Sequence, residues 1–143
     1  MKIGKIVLVA VFAILCGAPG VARADDALYQ DLGQRPGITQ IVDHMMTHII
    51  ADDRIKEHFA DTNIERLKGM LVNYFQMTAG GPDVYKGSRD MRVIHKGMHL
   101  KNADFNALVE DLQKGMDDAQ IPFATQNRLL ARLAPKQKEI VTR

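Results

Sequence analysis

Apolar residues in this chain recur at intervals of three and four, and that spacing restricts the fold more than any other feature. Ile38, Ile41, Val42, Met45, Met46, Ile49 and Ile50 make one stripe of an α-helix and no continuous face of a strand. His44 and His48 fall on its other side. Residues 54–58 read as a short helical turn leading to Phe59. Thr62-Asn63-Ile64-Glu65 then reads as a capping box, in which Thr62 and Glu65 satisfy free amides at a helix start. A second stripe follows through Ile64, Leu67, Leu71, Tyr74 and Phe75, with Met70 on it, and fades at Thr78. Gly80-Gly81-Pro82 ends that helix, because glycine tolerates left-handed backbone and proline cannot continue the ladder. After a loop carrying Tyr85, a short helix over 92–96 groups Met91, Ile94, His95 and Met98. A longer helix opening at Asn102 or Ala103 presents Phe105, Leu108, Val109, Leu112 and Met116. The last begins at Pro122 and is apolar at Phe123, Leu129, Leu130, Leu133 and Ile140. No run of alternating β-branched residues interrupts this pattern, so the fold class is all-α.

The first residues belong to a different pattern. Lys2 and Lys5 precede an apolar run from Ile6 to Leu15, and the segment closes on Ala22-Arg23-Ala24. This is the layout of a cleavable secretory signal over residues 1–24. The run is well short of the roughly 20 apolar residues that cross a bilayer. Leu15 stands before Cys16 where lipoprotein processing calls for a small residue. The expected mature domain is therefore residues 25–143, exported, with the bacterial periplasm as its location and no stable membrane insertion. Cleavage removes three of the 19 Lys+Arg and none of the 17 Asp+Glu, which leaves a nearly neutral chain without the basic footprint of a nucleic-acid binder. It also removes the single cysteine, and with it any disulfide, thiolate ligand or cysteine-based haem tether. The 46% hydrophobic content excludes a disordered chain.

Few groups in the mature sequence can carry chemistry. Ser88 is the sole serine, no glycine-rich loop follows a strand, and no nucleophile stands beside a base. The acidic pairs Asp52-Asp53 and Asp117-Asp118 sit at helix ends and read as caps. Of the five histidines, His95 alone has apolar side chains three and four residues away. A lone histidine on such a stripe is more often a hydrogen-bonded core residue than a ligand. His44 and His48 have the i, i+4 spacing that can grip a metal, with no third ligand in view.

Residues 28–141 resemble the truncated haemoglobins, and within them the first group. Leu28-Tyr29-Gln30-Asp31-Leu32-Gly33 resembles the family's opening turn. Ala51-Asp52-Asp53 with Phe59 fits its first helix pair, and Thr62-Asn63-Ile64-Glu65-Arg66-Leu67-Lys68-Gly69 resembles the start of its distal helix. Gly80-Gly81-Pro82-x-x-Tyr85-x-Gly87, followed by Met91-Arg92-x-x-His95, is the most specific stretch, and Pro135 also has counterparts. The resemblance implies a two-over-two helical sandwich around a non-covalent haem b, with His95 as the proximal ligand to iron. It implies a pocket lined by Phe59, Leu67, Leu71, Tyr74, Phe75, Tyr85, Met91 and Ile94. Arg66 and Arg92 become partners for the propionates, in the forked geometry that guanidinium makes with carboxylate.

Three positions depart from the family. Oxygen-binding members carry a tyrosine where this chain has Met46, and a glutamine where it has Leu71; Leu67 holds the gate position. No side chain at these positions can donate to dioxygen, and a hydrogen bond to such a charged partner contributes roughly 1.5–3 kcal/mol. The pattern argues against dioxygenase chemistry, and no catalytic residue is assigned. Met70 occupies the position where some relatives place a second iron ligand, and a thioether is a competent soft donor. The primary expectation is a binder of O₂, NO or CO outside the cytoplasm. The alternative is a six-coordinate His95/Met70 protein for electron transfer or redox sensing, with a redox partner. Expressed with its own leader in a secreting bacterium, the protein is expected outside the cytoplasm with Asp25 as its first residue; an intact Met1 terminus by mass spectrometry would contradict the signal.

Overall fold

The computed structural model describes residues 24–142, with the backbone alone for residues 24–26. All of the expected signal except Ala24 lies outside the described residues, as does Cys16. Among the described residues the regular elements are helical: α1 (Ala24–Asp31), α2 (Gln34–Ala51), a 3-10 turn (Lys56–Phe59), α3 (Ile64–Thr78), α4 (Met91–Ile94), α5 (Asn102–Asp118), α6 (Phe123–Leu133), a second 3-10 turn (Ala134–Lys136) and α7 (Gln137–Ile140). Helices α2 and α3 form one layer. Helix α5 and the α6–α7 run form the other, with α2 packed most extensively on α5. This is the all-α, two-over-two helical arrangement expected from the sequence.

The α2 stripe makes the centre. Ile38, Ile41, Val42, Met45, Met46 and Ile49 are buried, against Ala107, Leu112 and Met116 of α5. Ile50, expected on that stripe, is instead 58% exposed, standing about 100° round the helix from the buried Ile49. Phe123 is likewise 70% exposed; it is the first residue of α6, whose buried residues begin at Thr125. The α2–α5 crossing is close because of Gly115. A β-carbon there would come within 2.7 Å of the Met45 amide nitrogen and 2.9 Å of the Ile41 carbonyl.

The helix ends differ from the sequence reading in two places. Asn63, not Thr62, caps α3, its side chain accepting the Arg66 amide at 2.9 Å. The helix starts one residue later than a Thr62 cap requires, and asparagine is the stronger cap. The acidic pairs are not N-caps. Asp52 closes the C-terminal end of α2, where a carboxylate opposes the helix dipole. Its carboxylate is held by the Arg54 guanidinium at 2.7 Å, which draws its pKa down to about 2. Asp117 and Asp118 end α5 and are engaged by Gln126 and His48. At the end of α3, Gly80 adopts φ +88°; the Gly80 and Gly81 amides donate to the Met77 and Gln76 carbonyls, which closes the helix in a Schellman turn.

Gly115→Ala is expected to lower the unfolding free energy by about 1–3 kcal/mol, the usual cost of overpacking, read as a lower urea midpoint at unchanged slope. Gly69→Ala is the control. A β-carbon at Gly69 meets nothing within 4 Å, so this change should stabilise by roughly 0.5–1 kcal/mol. Equal effects of the two would contradict the close crossing.

Candidate functional site

The two layers do not meet everywhere. Between α3, α4 and α5 lies an apolar cleft, open at its mouth. Helix α3 contributes Leu67, Met70, Leu71, Tyr74 and Phe75, the stripe expected from spacing. The opposite wall carries Met91, Ile94 and His95. Phe105, Leu108, Val109 and Leu112 of α5 close one side, and Leu133, Lys136 and Ile140 the other. Tyr85 enters from the loop after α3 and stacks edge-on with Tyr74, ring centres 5.2 Å apart. Its hydroxyl donates to the Ser88 carbonyl at 3.3 Å. Burial pushes the Tyr74 and Tyr85 hydroxyls above the usual phenol range, so both stay neutral.

His95 follows the single turn of α4, and its ring is oriented by that turn. Nδ1 lies 2.8 Å from the Met91 carbonyl oxygen. A carbonyl can only accept, so Nδ1 carries a proton, and in the neutral ring the lone pair is then on Nε2. A neutral imidazole with one nitrogen on a backbone carbonyl and the other free is the arrangement of a metal-ligating histidine.

The expected site residues divide. Leu67, Met70, Leu71, Tyr74, Phe75, Tyr85, Met91, Ile94 and His95 border one cleft. Met46 is buried in the core, 3% exposed, and it is the adjacent Met45 that borders the cleft. Phe59 packs against the core cluster instead of the cleft. Arg92 is paired with Asp90 at 3.0 Å, and Arg66 is exposed at the start of α3; neither borders the cleft. Sequence reasoning missed the contributions of α5 and of Leu133, Lys136 and Ile140. The α5 stripe was visible, but periodicity cannot distinguish packing from cavity lining. The other histidines have different surroundings. His48 meets Asp118 at 2.7 Å, and His58 lies 3.6 Å from Asp104. Among the described residues no cluster of three metal-ligating side chains occurs.

A helical domain with one histidine on an apolar cleft defines a globin-like class. Residues 27–142 match the bacterial-like globin family, and the chain belongs to it. It is 28% identical over 116 residues to a group 1 truncated haemoglobin of Mycolicibacterium paratuberculosis, covering 81% of this chain and 85% of the relative. It is 34% identical over 90 residues to one of Tetrahymena thermophila, covering 63% and 74%. The crystal structure of the truncated haemoglobin from Tetrahymena pyriformis in its Fe(III) form superposes with a TM-score of 0.77 at 27% identity, covering 81% of this chain and 98% of that one. Globin membership implies haem, and the residues present fit it. The lining accepts an apolar macrocycle, and His95 offers a free nitrogen.

Proposed function

We propose that this chain binds haem b without covalent attachment, through Nε2 of His95, and takes up a diatomic ligand, O₂, NO or CO, outside the cytoplasm. The observation that carries the reading is the His95 ring, bordering an apolar cleft with Nδ1 already committed to the Met91 carbonyl. The similarity to truncated haemoglobins supports the same reading. Haem supplies an iron that coordinates small ligands; the protein's part is to hold it, exclude water and set the polarity around the ligand. Leu67, Met70 and Leu71 border the cleft from α3 and offer no N–H or O–H. Loss of one such bond to a charged partner, worth roughly 1.5–3 kcal/mol, weakens O₂ binding by about one to two decades, whereas CO depends less on it.

A second reading is favoured by one placement: Met70 borders the same cleft as His95. A thioether and an imidazole together form a His/Met pair, which raises a reduction potential. In this reading the protein carries electrons or responds to redox state. Met45 and Met91 also border the cleft, Met91 from the wall that carries His95, and Met46 is buried in the core.

Haem titration with visible spectra of both oxidation states tests the two together. The proposal expects one haem per chain. A ferrous form that is low-spin before any ligand is added identifies the Met70 pair; Met70→Ala should then give a five-coordinate ferrous haem that binds CO about tenfold faster or more, since no internal ligand must leave first. A high-spin ferrous wild type leaves the gas-binding reading and removes the redox one. A chain that takes up no haem contradicts both.

A further inference from the structure

Helix α4 has four residues. A turn that short does not stand by itself, because nucleating a helix fixes several dihedrals for one hydrogen bond. Yet its geometry decides where the His95 ring points. The Met91 carbonyl accepts both the His95 amide at 3.0 Å and His95 Nδ1 at 2.8 Å, so a displacement of Met91 displaces the imidazole.

Met91 is held from the far end of the chain. Its amide donates to Oε2 of Glu139 at 2.9 Å, across 48 residues. Lys136 fixes that carboxylate, reaching Oε1 at 2.9 Å and Oε2 at 3.2 Å, and its ammonium also reaches the Arg89 carbonyl at 3.3 Å. The other end of the segment is tied to the same part of the chain. Gln137 donates to the Asn102 side chain at 2.9 Å, and the Thr142 amide donates to the Leu100 carbonyl at 3.0 Å. The 3-10 turn at Ala134–Lys136, with Pro135 inside it, breaks the run after α6 at the point where Lys136 and Glu139 are needed.

We propose that Glu139 is a positioning residue for His95, its Lys136-anchored carboxylate fixing the turn whose carbonyl orients the imidazole. An i, i+3 Lys–Glu pair is common on helix surfaces and contributes little. This one differs in accepting a main-chain amide from another element, and both partners are only partly exposed, at 29% and 23% of the side chain. The consequence for iron rests on the haem reading: the partner of a ligand's second nitrogen sets that ligand's orientation and basicity, and removing such support costs about 10–100-fold in metal affinity.

The test uses the full chain with ¹⁵N-labelled histidine. Wild type should show His95 as a single tautomer protonated at Nδ1. Glu139→Gln keeps an oxygen for the Met91 amide and should retain that signature. Glu139→Leu should give a mixture of tautomers, about tenfold faster haem loss or more, and a lowered iron–histidine stretching frequency in the ferrous protein. Should Glu139→Leu fail to fold, Lys136→Met, which leaves the carboxylate in place without its anchor, should move the same readouts in the same direction by a smaller factor. Unchanged tautomer, haem loss and stretching frequency in a Glu139→Leu protein that only melts earlier would overturn the proposal. A wild type without haem contradicts the haem reading instead, and the tautomer comparison still decides whether Glu139 orients His95.

Discussion

Helices α2 and α5 meet nearly backbone to backbone at Gly115, where a β-carbon would lie 2.7 Å from the Met45 nitrogen, and the rest of the domain is arranged around that crossing. Most of the apolar stripe of α2 is consumed there, with Ile41, Val42, Met45 and Ile49 at 1% exposure or less. Helix α3 packs on α2 and meets α6, and one of its faces is left without a helix against it. Its stripe through Leu67, Leu71 and Tyr74 stays half-buried and faces the cleft. A tight contact in one place thus produces an apolar opening in another, and the opening is where a flat hydrophobic group fits.

The opposite wall is built from weaker material. Four helical residues carry His95, and their order comes from capping and from the end of the chain, not from length. Asp90 caps the turn by accepting the Arg92 amide at 3.0 Å, while Glu139 takes the Met91 amide. The same Asp90 carboxylate engages the Arg92 guanidinium, which explains why an arginine expected to meet the cofactor stands instead as part of a cap. Lys136 is the cationic side chain that borders the cleft, and its charge is spent on Glu139.

Much of this was legible in the sequence. The α2 and α3 stripes and the Gly80 stop follow from spacing, spacing marks His95 as the histidine with apolar flanks without making it a ligand, and the resemblance over residues 28–141 matched the haemoglobin relationship. The misses share a cause. Ile50 and Phe123 obey the apolar pattern but stand exposed at helix ends, which no periodicity reveals. Asn63 prevailed over Thr62 because the helix start shifted by one residue. The clamp between Glu139 and Met91 joins residues far apart in sequence, and a Lys–Glu pair at i, i+3 looks like any other surface pair until the fold brings α7 against α4.

The haem reading rests on Nε2 of His95 as the ligand to iron. Replacing the side chain by nothing and supplying its ring from solution tests this directly. His95→Gly protein should bind haem weakly or lose it, and added imidazole should restore tight binding and the wild-type ferrous spectrum, because the apolar cleft and the other walls are intact. A His95→Gly protein that holds haem as tightly as wild type without imidazole, with an unchanged ferrous spectrum, would contradict the account.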